Sequence, residues 1–300
     1  MKMFGFRSCE IALEKEAYRP GEIVNGKVLY NFAKECTVRD LTIKLSGKAW
    51  VRLEKGSHKH SRIERVLKMT STLLKCQTNF SPGDYVYPFT FTLPDNLPSS
   101  VEASYITSWG SIKYKAKAKI DKKWSLDCSC EKVFNMLPRN EFNLMSASPV
   151  ERTIEKVPTS ISINGPIQFT VSIPDDRYVP NQAVPFVARV KNDSSNTVKE
   201  LRFEIVQGFT FHILHHEREF TVSGTDQVTV IDSVVEPGSE NLWNLQLAIP
   251  EDMFVGTTSN CKIMKGFWKL KGEVCLPLPH RNIRIEIPLR LGPRLESEKA

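Results

Sequence analysis

Apolar side chains recur at every second position in almost every scoring segment of this chain, and that period decides the fold class. Cys9, Ile11 and Leu13 alternate with Glu10, Ala12 and Glu14, and Leu41, Ile43 and Leu45 alternate with Thr42, Lys44 and Ser46. Phe89, Phe91 and Leu93 follow the same rule, as do Ile283, Ile285, Ile287, Leu289 and Leu291. Successive side chains of a strand point to opposite faces, so a period of two gives each strand one buried and one wet face. Turn chemistry separates the runs at Pro20-Gly21, Pro82-Gly83-Asp84, Asp193-Ser194-Ser195-Asn196 and Pro237-Gly238. No stretch carries the 3.6-residue period of a long amphipathic helix, and the best helical candidate is one turn at Ser99-Ser100-Val101-Glu102. The predicted class is all-β.

The two halves repeat each other. Tyr18-Arg-Pro-Gly-Glu-Ile-Val24 aligns with Tyr178-Val-Pro-Asn-Gln-Ala-Val184, and Val38 to Leu45 aligns with Val198 to Ile205 at the same offset of 160. At offset 156, Phe89 to Pro94 matches Leu245 to Pro250, and Ile112 to Ala118 matches Trp268 to Val274. A period this long makes each copy a whole domain of about seven strands. The arrangement predicts two tandem immunoglobulin-like antiparallel β-sandwiches. The first spans 1–138, a Pro- and Ser-containing linker spans 139–159, and the second spans 160–295.

Tandem sandwiches of this size, with Tyr18-Arg-Pro-Gly-Glu22 opening a strand, resemble the arrestin superfamily, and specifically its arrestin-domain-containing (alpha-arrestin) branch. The matching residues continue through Val24-x-Gly26-x-Val28, Gly47-x-Ala49-x-Val51, Pro88-Phe-x-Phe-x-Leu-Pro94, Leu97-Pro-Ser-Ser100, Ile112-Lys-Tyr114 and Ile120-Asp-Lys-Lys-Trp124. In the second half, Gly165-Pro-Ile167, Gln207-Gly-Phe209, Ile249-Pro250 and Ile287-Pro-Leu-x-Leu-Gly292 fit as well. The resemblance implies the arrestin fold and a non-catalytic cytosolic adaptor, peripheral to the plasma membrane or endosomes. Such an adaptor binds the intracellular regions of receptors and transporters in trafficking, endocytosis or ubiquitin-linked sorting. A retromer-type coat or sorting-complex subunit, which shares the fold, is the alternative. Two departures stand out. Asn181 replaces the turn glycine, and Asn is the next-best residue at positive φ, so the turn is expected to survive. Alpha-arrestins also recruit HECT-type ubiquitin ligases through Pro-Pro-x-Tyr motifs, and this chain has no Pro-Pro dipeptide.

Composition and motifs exclude several other classes. No run nears the roughly 18 apolar residues of a membrane span. Glu10, Glu14 and Glu16 interrupt the N-terminus before a signal-type stretch forms, which predicts a chain kept in the cytosol. Seven irregularly spaced cysteines are not a disulfide framework, and Cys128 and Cys130, on one face of a strand, read as small buried hydrophobes. His212, His215 and His216 split between two faces, and His58 and His60 sit in a loop among Lys55, Lys59 and Arg62, so no metal is expected. Asp175-Asp176 reads as a solvated turn. Nucleophile elbows, phosphate loops and zinc-protease motifs are missing, so neither catalysis nor a cofactor is expected.

Charge supplies the functional lead. Residues 1–150 hold 24 Lys and Arg against 15 Asp and Glu, an excess of nine, whereas residues 151–300 hold 17 against 19. Lys113, Lys115, Lys117 and Lys119 alternate with Ile112, Tyr114, Ala116, Ala118 and Ile120, placing ammonium groups on one face every ~7 Å. Lys122 and Lys123 follow. One reading is an edge strand whose lysines block aggregation. The other is a surface for acidic or phosphorylated segments of membrane proteins, the four lysines being the contact residues. An anionic membrane surface is a further partner for the stripe, helped by a charged hairpin from Arg52 to Lys68. Nucleic acid is not expected, because Tyr114 lies on the face opposite the lysines and stacking aromatics belong beside the cations.

Overall fold

The computed structural model describes residues 7–55, 58–122, 128–139, 148–156, 165–213, 216–222, 229–231 and 234–293. The described residues form twenty strands, and no helix among them is long and apolar enough to cross a membrane. Two compact units result. The first holds Met1–Arg139 with Phe211–Arg218 and Gly256–Lys265, and the second holds Asn140–Thr210, Glu219–Val255 and Gly266–Ala300.

The first ten strands are β1 (Ser8–Leu13), β2 (Ala17–Tyr18), β3 (Ile23–Phe32), β4 (Cys36–Lys55), β5 (His58–Leu74), β6 (Thr78–Phe80), β7 (Gly83–Thr92), β8 (Val101–Tyr105), β9 (Ser108–Lys122) and β10 (Cys128–Met136). They build a small sheet, β1-β3-β7, and a larger one, β2-β10-β9-β4-β5, with β6 on β4 and β8 on β9. Alternate residues of each sheet meet in the core: Val24, Val28, Tyr30 and Phe32 from one, and Leu41, Ile43, Leu45, Tyr114, Ala116, Ala118 and Ile120 from the other. The Tyr114 ring crosses Gly47 on β4, where even a Cβ would come within 2.5 Å of it, and its hydroxyl donates to the Pro98 carbonyl at 2.6 Å.

The remaining strands are β11 (Val150–Lys156), β12 (Ile167–Ile173), β13 (Arg177–Tyr178), β14 (Ala183–Asn192), β15 (Glu200–Ile213), β16 (His216–Val222), β17 (Thr229–Ile231), β18 (Ser239–Ala248), β19 (Met264–Cys275) and β20 (Ile283–Leu291). Their sheets run β11-β12-β14-β18 and β13-β20-β19-β15-β16, with β17 on β15. Phe169, Phe186, Phe203, Leu270 and Ile285 fill the space between them.

Local hydrogen bonding shows the duplication. Gly21 at φ 84 donates to the Pro94 carbonyl, and Glu22 donates to Arg19. Asn181 at φ 64 donates to the Ile249 carbonyl, and Gln182 donates to Val179. The asparagine therefore takes the left-handed conformation of the glycine it replaces. Tyr18 and Tyr178, which open the two turns, are both buried.

Several expectations need correction. Each unit contains one short parallel pair, β2 with β10 and β13 with β20, so the sandwiches are not wholly antiparallel. The stretch expected as a linker includes β11, paired with β12 from Val150↔Ile173 to Lys156↔Ile167. Its five middle residues are exposed, so this edge strand shows no apolar alternation to read. Ser99-Ser100 is not a helical cap. Ser100 exchanges hydrogen bonds with the Met136 main chain, and Val101 begins β8. The charged hairpin from Arg52 to Lys68 is present, with β4 and β5 paired out to Lys55↔His58, so His58 and His60 lie on β5 rather than in a loop. Cys130 is not a free buried thiol but is joined to Cys9 in a disulfide with Cα atoms 5.7 Å apart, while Cys128 stays free and buried. The partners lie 121 residues apart on β1 and β10, so only the stacking of the two sheets brings them together. His215 and Lys123 lie outside the described residues.

Candidate functional site

Lys113, Lys115, Lys117 and Lys119 all lie on the outer face of β9, because Ile112, Tyr114, Ala116, Ala118 and Ile120 take the inner face at 1% exposure or less. β9 is not an edge. It is flanked by β10 and β4, so its backbone is already paired and the lysines have no aggregation edge to block.

Register carries the charge across the sheet. Lys117 stands opposite Lys44 on β4, and Lys113 stands opposite Lys48. Lys48 in turn faces Arg65 on β5, and Ser46 faces Lys68. Eight cations, namely Lys44, Lys48, Arg65, Lys68 and the four of β9, thus share one face over three adjacent strands. Like charges directly opposite repel across a sheet, so this surface is a site of electrostatic frustration.

Two carboxylates relieve part of it. Glu131 on β10 accepts from Lys115 at 2.6 Å and from Lys117 at 2.8 Å, and Glu102 on β8 pairs with Lys113. Hydrogen bonds from Lys115 and then Lys117 hold the Glu131 carboxyl below the usual carboxylate range. The acid expected to oppose the stripe is therefore supplied partly from within the chain. Lys44, Lys48, Arg65 and Lys68 form no ion pair with any described residue.

The corresponding face of the second unit is organised differently. At the repeat offset, Lys269, Lys271, Glu273 and Cys275 stand where the first unit has its four lysines. Lys269 pairs with Glu286 at 2.8 Å, Arg284 with Glu273 at 2.9 Å, and Lys271 approaches Glu204 at 3.9 Å. An open depression there is lined by Arg202, Glu204, Lys271, Glu273, Arg284 and Glu286, three charges of each sign. Among the described residues lining it, the charges of the two signs are matched.

The remaining polar candidates are structural. Asp175 is held by Arg177 and Asp176 by Arg290 at 2.6 Å, so the acidic pair is an ion-paired turn. Among the described residues no group of three His, Cys, Asp or Glu could hold a metal ion. Lys44 and Lys48 escaped sequence reasoning as site residues, and Arg65 and Lys68 entered it only as part of the charged hairpin from Arg52 to Lys68. The outward alternation of Lys44, Ser46 and Lys48 was visible in the sequence, but not the register that sets these residues beside β9.

Duplicated sandwiches entered through matching left-handed turns define a class of tandem β-sandwich proteins. A model of the arrestin (or S-antigen) N-terminal domain matches residues 8–143, and a model of the arrestin C-terminal domain matches residues 164–294. The chain belongs to the arrestin family. It is similar to arrestin domain-containing protein 4 of Mus musculus, at 26% identity over 93% of this chain and 69% of that protein. Arrestin domain-containing protein 17 of Caenorhabditis elegans is 23% identical over 93% of this chain and 68% of its own length. Arrestin domain-containing protein 1 of Rattus norvegicus is 25% identical over 65% and 44% respectively.

Proposed function

We propose that this protein is a non-catalytic cytoplasmic adaptor that binds acidic or phosphorylated intracellular segments of membrane proteins and directs their trafficking. The binding surface is the outer face of the large sheet of the first unit, with Lys113, Lys115, Lys117 and Lys119 at its centre. The observation that carries the reading is that Lys44, Lys48, Arg65 and Lys68, which pair with no described carboxylate, adjoin the lysines of β9 on one sheet face, whereas Lys269, Lys271 and Arg284 on the corresponding face of the second unit each meet a carboxylate. An acidic partner relieves the repulsion among Lys44, Lys48, Lys113 and Lys117 in a way that the two resident carboxylates do not.

The test is binding of synthetic peptides, Glu-rich or phosphorylated, to the parent protein and to a variant with Glu at positions 113, 115, 117 and 119. Reversal of four central charges is expected to weaken binding by at least about 100-fold at low salt and to flatten its salt dependence. Equal affinity of parent and variant would place the site elsewhere.

A further inference from the structure

The charged face does not stop at its lysines. Towards the β4–β5 hairpin the outward residues become apolar and aromatic. Trp50 stands opposite Ser111 on β9 and Ile63 on β5, and Arg52 stands opposite Trp109. Trp50 and Trp109 are half-buried, and Ile63 is 64% exposed. The Arg52 guanidinium lies 5.5 Å from the centre of the Trp109 ring and also pairs with Glu54. This patch adjoins the row Arg65–Lys48–Lys113 directly, one side-chain repeat along the strands. Packing within the sheet accounts for Trp109, which Arg52 covers. It does not account for an isoleucine left open beside a tryptophan on the same face as eight cations.

From this juxtaposition we infer that the ligand is bipartite: one extended peptide segment with an apolar or aromatic anchor at one end and acidic side chains at alternate positions towards the other. The inference rests on the adaptor reading above and narrows its ligand. Ser111, in the row of Trp50, and Lys117 are six residues apart on β9, or ~20 Å, which separates the anchor from the central acid by about six residues of extended peptide. Alternate side chains of such a peptide repeat every ~7 Å, the same interval as the lysines. The anchor supplies desolvated contact and the acids supply orientation.

The face itself argues against two other occupants. Glu102 and Glu131 are interleaved with the cations, and a continuous anionic bilayer surface would oppose those carboxylates, whereas a peptide can leave them facing water. Trp50, Ile63 and Trp109 also sit on strands rather than at loop tips. For single-stranded nucleic acid, stacking needs bare rings between the cations. Both tryptophans lie at one end of the face, and Arg52 already covers one of them.

Fluorescence anisotropy with labelled 14-residue peptides tests the inference. One set carries Phe-Leu at one end and four Glu at alternate positions centred six residues away, in both chain directions; the control replaces Phe-Leu with Ser-Ser. The better anchored peptide is expected to bind the parent about tenfold more tightly than its control. Trp50→Ala and Ile63→Ser should each remove most of that advantage and leave control binding unchanged. If Trp50→Ala melts well below the parent, Ile63→Ser alone decides, since its side chain is already in water. Equal binding of both peptides, lost together in the four-lysine reversal, overturns the anchor and leaves the adaptor reading standing. No binding of either peptide overturns both. Tighter binding to phosphatidylserine vesicles or to a dT12 oligonucleotide than to the anchored peptide assigns the surface to that class and overturns the inference as well.

Discussion

Gly47 faces the Tyr114 ring across β4 and β9, and the two residues determine each other. With Cε1 of the ring 2.5 Å from where a Cβ would lie, any side chain at 47 must displace a fully buried tyrosine or bend β4. The tyrosine has little room to yield, because its hydroxyl is tied to the Pro98 carbonyl. Burial raises the Tyr114 pKa far above the ordinary phenol value, so the hydroxyl stays a neutral donor throughout the accessible pH range. Gly47→Ala is expected to destabilise the protein by roughly 1–3 kcal/mol, as overpacking of a closed core does. Denaturant unfolding of parent and variant measures it, and a variant as stable as the parent would show that the ring can move. Gly47 and Tyr114 each belong to a family-like motif in the sequence. Their contact is invisible there, since 67 residues separate them and only the β4–β9 register makes them opposite.

At the level of the element, β9 shows what an alternating sequence reveals and what it conceals. The inward set, Ile112, Tyr114, Ala116, Ala118 and Ile120, was legible from period two alone, and so was the outward row of lysines. The position of β9 was not. Lysine on alternate positions reads equally well as a protected edge or as an exposed central face, and only pairing to both β4 and β10 decides between them. The same limit hid β11, whose exposed middle carries no apolar pattern, and the Cys9–Cys130 bridge, which needs two sheets stacked face to face. Glu131 is the element's compensating charge, and its removal should move two observables in opposite directions. Because its folded pKa is lowered, its contribution is complete above the usual carboxylate range and is lost as pH falls through the folded value. Glu131→Gln should therefore cost a few tenths of a kcal/mol at pH 7, the modest worth of a partly exposed pair, with the difference vanishing once the pH has fallen below the folded value. Binding of an acidic peptide should instead strengthen by about threefold, since one competing carboxylate is gone. Thermal melts across pH and peptide titrations at pH 7 report the two effects, and weaker binding in the variant would mean that Glu131 positions the lysines rather than competes for them.

Across the whole molecule, duplication supplied two similar scaffolds and the outward residues then diverged. Both copies keep the buried tyrosine, the left-handed turn and the inward apolar set, which are the terms that hold a sandwich together. Their outer faces differ because substitutions there are nearly neutral for stability and are free to follow function. That divergence is the physical form of the nine-charge excess in residues 1–150 against the slight acidic excess in residues 151–300. It also provides an internal control for the binding surface. If the ligand responds to net charge alone, reversing cations anywhere should weaken it; if it responds to the uncompensated face, position should matter. Lys269 and Lys271 occupy the places of Lys113 and Lys115 at the repeat offset, and all four have carboxylate neighbours, but only the first pair adjoins the further cations Lys44, Lys48, Arg65 and Lys68. Glu at 113 and 115 should slow association of an acidic peptide by at least about tenfold at 50 mM salt, with the gap closing as salt approaches 0.5 M, where the Debye length falls to about 4 Å. Glu at 269 and 271, the same change in net charge, should leave the association rate within about twofold of the parent. Stopped-flow measurements on the two double variants compare them directly. Equal slowing in both would reduce the surface to a general effect of net charge, whereas slowing confined to the first pair assigns the field to the outer face of β9.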